Sequence, residues 1–431
     1  MNNNENRNFQ VTESSAPNAY CNATEPTFPI PEDTPNIPLP RPEPSPTHNA
    51  YRDEPSAMSE AVRKKHFLLK GTRPLDGEPP HVYNGRMIHE SRLLREENVS
   101  GFRSSAAKIS LLLLLYIVIF QTVSLMVPEI ARAFGLLNDP NSISYTVFVI
   151  ILYLLIYPVT FPVVIYLGNL GETHKVKTYF RKPQCSPVYI LKWFVIGAGC
   201  SYIVNIVFNI ISTAIGYDNG ATAEPFTSVL DGVSQLVVLC VFAPIFEEIL
   251  FRGVMLSHHM KYGAWSACII TALYFGFFHG NLQQLLYTPI LGVIMAMVVL
   301  KTGSLISSII IHVLVNFIGF IQILSLSLID NYEEYINGAA MLPSGSPLAL
   351  ALFAFTTLIP WILMLAAVIL LVIELIKNRY TFVMPQGDSG LSAKDKLAAF
   401  FTTPAVWATV VVAVLAIILR EVLLYLNQAY S

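Results

Sequence analysis

Between Val241 and Gly253 the chain reads Val-Phe-Ala-Pro-Ile-Phe-Glu247-Glu248-Ile-Leu-Phe-Arg252-Gly, with two carboxylates and a guanidinium within six positions of an otherwise apolar run. An ionised group near a bilayer centre costs about 2.5–3.5 kcal/mol, so such groups persist where they are paired or where they face a functional cavity. On a helix, Glu248 and Arg252 are four residues apart, share a face and can pair. Glu247 points about 100° away from that pair. With no local cation it is the better candidate for a general base. Pro244 removes a helix hydrogen bond just before the pair and predicts a kink. Two further apolar runs carry polar groups: Phe275-Gly-Phe-Phe-His279-Gly-Asn281, and His312-Val-Leu-Val-Asn316, which is again an i, i+4 pair. Of the nine histidines, His279 and His312 are the two inside apolar runs. His258 and His259 fall at an expected helix end and are read as solvated.

These residues need elements to hold them. The chain has 431 residues, 53% hydrophobic and only 13% charged, against about 25% charged in ordinary soluble proteins. Residues 1–108 hold 13 Lys+Arg and 14 Asp+Glu, which leaves 14 and 15 for the remaining 323 residues. That body is too poor in charge to cover a water-soluble domain. A net charge of −2 without a basic stripe excludes a dedicated nucleic-acid binder. Half of the 28 prolines lie in the first 80 residues, and such a stretch cannot build a packed core.

The expectation is an all-α, polytopic membrane bundle preceded by a disordered, proline-rich cytoplasmic tail over 1–85, whose docking partner, if any, is unknown. A juxtamembrane interfacial helix is expected over 86–107. The transmembrane domain then covers 108–426, with a catalytic core at about 227–320. Spans are expected at 108–127, 145–167, 189–215, 227–257, 264–280, 284–300, 304–327, 347–375 and 404–424. The count becomes eight if 284–300 is only partly inserted.

Cationic loops alternate with cation-poor ones. Arg92, Arg95, Arg103 and Lys108 precede the first span, and Lys175, Lys177, Arg181 and Lys182 follow the second. Lys261, Lys301 and the group Lys377, Arg379, Lys394 and Lys396 continue the series, while 216–226 and 330–347 carry acids only. This alternation places the N-terminus in the cytoplasm. Counted from the cytoplasmic span ends at about 1.5 Å per residue, Glu247 and Asn316 lie roughly 19 Å deep, His279 roughly 22 Å and His312 roughly 12 Å. One cluster of all six groups is allowed.

Several chemistries fit such a cluster. Intramembrane His and Asn also serve as interhelical hydrogen-bond glue, and an internal Glu–Arg pair also fixes packing. A zinc site would use Glu and His, but the chain has no His-Glu-x-x-His. A Ser/His protease lacks a Gly-x-Ser-x-Gly near the histidines. A small-solute transporter would show matching broken helices in two halves, and only one polar region is visible. Cys21, Cys185, Cys200, Cys240 and Cys268 are dispersed and form neither a disulfide framework nor a zinc ribbon.

The three segments resemble the CPBP family of intramembrane glutamic endopeptidases, the CAAX-protease and bacteriocin-processing (Abi) family. Its pattern of Glu-Glu-x-x-x-Arg, Phe-x-x-x-His and His-x-x-x-Asn/Asp on successive helices is met by Glu247–Arg252, Phe275–His279 and His312–Asn316. The match covers roughly 227–320. The resemblance implies a metal- and cofactor-independent peptide hydrolase. In it Glu247 activates water with help from His279, Glu248 positions the site through Arg252, and His312 and Asn316 stabilise the oxyanion. Its implied substrates are membrane-associated peptides or proteins, either prenylated CAAX tails or bacteriocin-type peptides. The expected setting is the lipid bilayer of a bacterial plasma membrane, without nucleic acid. A non-catalytic scaffold or immunity protein is the alternative.

Overall fold

The computed structural model describes residues 80–135, 147–148, 151–152, 160–169, 180–217, 225–226, 228–336, 339–384, 387 and 389–430. Among them every regular element is helical, so the all-α expectation holds. Nearly all of the expected tail and most of the expected span at 145–167 lie outside the described residues.

The elements are α1 (Pro80–Ala133), α2 (Phe161–Asn169), α3 (Pro187–Ala214) and α4 (Val229–Met260), then α5 (Ala264–Phe278), α6 (Leu282–Thr302) and α7 (Leu305–Leu326), followed by α8 (Pro347–Lys377), α9 (Ala393–Phe401) and α10 (Pro404–Tyr430). Seven of them (α1, α3, α4, α6, α7, α8 and α10) are long and apolar enough to cross a bilayer, and α5 is a shorter apolar helix of 15 residues. The stretch expected over 284–300 is a full 21-residue helix. The chain is thus an integral membrane protein.

Local chemistry sets the helix ends. The Ser186 hydroxyl accepts the Tyr189 N–H with Pro187 in the first turn of α3, and the Asn281 side chain accepts the Gln284 N–H to start α6. Gly303, at φ +65°, ends α6 in the left-handed region open to glycine. Ser392 and Asp395 form a reciprocal capping box on α9.

The segment 86–107, expected as a juxtamembrane helix, is continuous with the helix that follows it. Thus α1 runs unbroken for 54 residues. Within it Phe102, Ser105, Ala106 and Ile109 are buried, and the Phe102 ring lies against His259 in the last turn of α4 and Tyr262 just beyond it. The stretch of α1 from Phe102 to Ile109 is thus packed against the end of α4.

The α5–α6 hairpin is the centre of the bundle. It packs against α3 and the second half of α4, while α8 covers α3 and α10 covers α1. Small residues permit the close approach: a Cβ on Gly276 would stand 2.8 Å from Pro289 Cγ. The apolar window of α6 is 56% buried and that of α8 only 11%, so α8 presents most of its surface to lipid.

The cation-bearing segments gather at one end. Arg95 pairs with Asp395, Arg103 Nη2 donates to Thr402 Oγ1 at 3.0 Å and Lys301 Nζ to Val383 O at 2.7 Å. The Gln184 N–H reaches Thr302 O at 3.2 Å. At the other end Phe226 N–H donates to Ser327 Oγ at 2.7 Å and Asp330 N–H to Ser344 O at 2.9 Å.

Candidate active site

The carboxylates sit on an irregular helix. Within α4 the hydrogen-bond register changes from α over Val229–Val237 to π over Val238–Phe242. It returns to α over Ala243–Glu248 and becomes π again over Ile249–Met255. The kink expected at Pro244 is thus resolved as a π-turn just before the proline. Proline clashes with the carbonyl four residues earlier, and widening that turn relieves the clash. Such π-turns concentrate at functional sites.

Glu248 and Arg252 pair as their spacing predicted, with Nη1 to Oε1 at 2.8 Å and both side chains almost fully buried. Arg252 is held from two further sides. Its Nη2 donates to Gly292 O on α6 at 3.3 Å, and its guanidinium carbon lies 4.3 Å over the centre of the Phe275 ring. A Cβ on Gly292 would approach Ala272 Cβ at 3.0 Å and Arg252 Nη2 at 3.3 Å, so this glycine makes room for the cation.

His312 on α7 joins both acids. Its Nδ1 is 3.0 Å from Glu248 Oε1 and its Nε2 is 3.8 Å from Glu247 Oε2. A carboxylate paired with Arg252 accepts, so Nδ1–H donates to Glu248 and Nε2 faces Glu247. Glu247 is 5% exposed, and its Oε2 has no hydrogen-bond partner among the described residues. Oε2 of Glu248 is likewise without a partner among the described residues, but its Oε1 is bonded to both Arg252 and His312, whereas Glu247 meets His312 only at the longer distance.

His279 ends α5, where its Nδ1–H donates to Phe275 O at 2.6 Å and leaves Nε2 for other work. No hydrogen bond among the described residues joins it to Glu247. It meets the cluster through Phe275, whose ring stands edge-on to His279 at 4.7 Å and to His312 at 5.7 Å. One aromatic ring thus spaces Arg252, His279 and His312. In the sequence Phe275 is visible only as the residue four before His279, and its contacts with Arg252 and His312 come from other helices.

Asn316 lies one turn beyond His312 on α7, yet its Nδ2 donates to Leu239 O on α4 at 2.7 Å. So Glu247, Glu248, Arg252 and His312 form one contact cluster, His279 borders it, and Asn316 binds backbone next to it. Among the described residues no three or more His, Cys, Asp or Glu side chains are placed to hold a metal ion.

His258 and His259 correct the sequence reading. They are 7% and 0% exposed, with His258 Nε2 bonded to Gly168 O at 2.7 Å and His259 Nδ1 to Ser105 Oγ at 2.6 Å. The unbroken α1 and the end of α2 cover them. Another pair was passed over: Lys192 Nζ meets Glu374 Oε1 at 2.6 Å, joining α3 to α8, and Glu374 is 2% exposed.

A family model described as type II CAAX prenyl endopeptidase Rce1-like matches residues 229–318. An uncharacterized 24.3 kDa protein of Escherichia coli is 29% identical over 112 residues, covering 23% of this chain and 52% of that protein. The chain therefore spans about half the length of this curated relative. No solved structure matches. All six residues of the three polar segments fall inside the matched stretch, so it is this region of the chain, residues 229–318, that is similar to the type II CAAX prenyl endopeptidases.

Proposed function

We propose that the chain is an intramembrane endopeptidase of the glutamic type, cleaving membrane-associated peptides or proteins without a metal or other cofactor. One observation carries the reading: Glu247 is a buried carboxylate whose Oε2 has no hydrogen-bond partner among the described residues and faces His312 Nε2 at 3.8 Å, while Oε1 of its neighbour Glu248 is bonded to both Arg252 and His312. Two atoms that far apart can share one water. Glu247 takes a proton from that water as its oxygen bonds to the scissile carbonyl carbon, and the carbonyl oxygen becomes an oxyanion. Collapse of the intermediate breaks the C–N bond, and the proton on Glu247 passes to the departing amine. His312, fixed by Glu248, holds Nε2 toward the water, and His279 Nε2 assists from the other side of Phe275.

The substrate class that suits the family match is a lipidated C-terminal CAAX tail, with a bacteriocin-type peptide as the second class. The cationic end of the bundle faces the cytoplasm under the positive-inside rule, and the cut lies in or near the cytoplasmic half of the bilayer.

The test uses purified wild type and Glu247→Gln in proteoliposomes with a quenched fluorogenic, farnesylated C-a-a-X peptide. Wild type should cleave it, and the variant should lose about 10³-fold or more in rate. Chelators should leave the wild-type rate unchanged. A Glu247→Gln protein that keeps the wild-type rate would sink the mechanism.

A further inference from the structure

Asn316 does not point at the catalytic acids; it is spent on a backbone carbonyl, and the sequence explains why that carbonyl is free. In the π-turn before Glu247, the Ala243 N–H donates to Val238 O, five residues back. The next bond in that register would run from residue 244 to Leu239 O. Residue 244 is proline and has no N–H. The α-register alternative for Leu239 O is the Ala243 N–H, which is already used. Leu239 O is thus left without a helical donor inside the membrane, where no solvent replaces it. The group that meets it is Asn316 Nδ2, from another helix, at 2.7 Å. A carbonyl only accepts, so the amide nitrogen must be the atom facing it.

We infer that Asn316 is a positioning residue: it supplies the hydrogen bond that Pro244 withholds from Leu239 O, and so fixes the Glu247–Glu248 turn of α4 against the His312 face of α7. Asn316 and His312 are four residues apart on one helix. Leu239 and Glu247 are eight apart on the other, with Pro244 and its turn between them. The bond therefore closes a small frame with the His312–Glu248 contact at 3.0 Å as its other rung. Two rungs between α4 and α7 set both the separation and the rotation of the helices, and hence the distance between Glu247 Oε2 and His312 Nε2. On this assignment Asn316 acts through the placement of Glu247 rather than by touching the oxyanion. The catalytic consequence rests on the proposed peptidase function; the pairing of Asn316 with Leu239 O does not.

The proline makes the inference testable by compensation. Pro244→Ala returns an N–H at residue 244 that can reach Leu239 O, so the asparagine should become dispensable. Four proteins are compared: wild type, Asn316→Ala, Pro244→Ala and the double variant Pro244→Ala/Asn316→Ala. Each is melted in detergent micelles and assayed on the farnesylated C-a-a-X peptide across pH. Asn316→Ala should lower the melting midpoint by roughly 3–8 °C, reduce kcat/KM by roughly 10- to 100-fold and shift its pH profile. The double variant should regain the midpoint, the pH profile and most of the rate of Pro244→Ala. If it regains the midpoint but keeps the full rate defect, Asn316 acts on the reacting atoms and the positioning role is wrong. If it regains neither, Leu239 O is not what Asn316 serves. A wild type that cleaves no peptide would sink the peptidase reading alone, and the midpoints would still decide the pairing.

Discussion

Arg252→Met is the perturbation for which the structure gives the clearest magnitude. The guanidinium is bound to Glu248 at 2.8 Å, to Gly292 O at 3.3 Å and over Phe275 at 4.3 Å. Methionine fills much of the volume and removes the charge. Glu248, with 0% exposure, is then left with His312 as its main partner. Breaking a buried pair by deleting one partner costs about 3–5 kcal/mol, because an uncompensated charge stays behind. Against a total stability of about 5–15 kcal/mol, that is a large share. At about 2–4 °C per kcal/mol, the melting midpoint should fall by roughly 6–20 °C. Glu248→Gln/Arg252→Met removes both charges and keeps a carbonyl oxygen for His312 Nδ1–H. Replacing a buried pair by neutral groups of similar size is close to neutral, so the double variant should return to within about 2 kcal/mol of wild type. The assay is thermal unfolding in one detergent with all three proteins side by side. A double variant that melts as low as Arg252→Met would show that the cost lies in lost packing around Phe275 and Gly292, and the charge argument would fail.

Glu247→Gln should behave in the opposite way. Its Oε2 has no hydrogen-bond partner among the described residues, so neutralising the group should leave the melting midpoint at or above that of wild type even as cleavage is lost; a clear fall would mean that Glu247 is a structural acid. Gly292→Ala pushes a methyl within 3.0 Å of Ala272 Cβ and 3.3 Å of Arg252 Nη2, and overpacking of this kind should cost about 1–3 kcal/mol, read by the same melts. At the cationic end, hydrogen bonds from Arg95 and Ser392 pull the Asp395 carboxyl down to about 2 from its ordinary 3.8. Since the folded value is the lower one, the anchoring is complete above about 4 and is lost as pH falls toward 2. Amide hydrogen exchange over Ser392–Phe401 should accelerate across that window in wild type and show no such step in Asp395→Asn.

Residue spacing revealed the parts of the site that are local in sequence. Glu248 and Arg252 pair because four residues bring them to one helix face, and two π-turns do not undo that. The difference between the two adjacent acids followed from the same geometry. Features that depend on distant chain segments were not legible. Nothing in the pattern says that Leu239 O needs a donor until the register of α4 is seen, since side-chain periodicity does not report which amide bonds which carbonyl. His258 and His259 looked solvated because they sit at a helix end. Phe102 and Ser105 from α1, more than 150 residues earlier, and Gly168 at the end of α2 bury them. Lys192 and Glu374 lie near opposite ends of their own helices, and their pairing bridges 182 positions. For the histidines and the Lys192–Glu374 pair the missing information was tertiary, carried by contacts between helices that the sequence keeps far apart.

The packing of α1 against α10 has a consequence for how the protein is made. Thr409 Oγ1 on α10 donates to Ser110 O on α1 at 2.9 Å, across 299 positions of chain, while the Ser110 hydroxyl is bonded to Tyr274. Ribosomes add about 5–20 residues per second, so α1 is synthesised roughly 15–60 s before its partner exists. During that interval α4 to α7, which carry the catalytic groups, can already meet. The helices of the candidate site thus have time to assemble before α10 exists, and α10 can dock only after them.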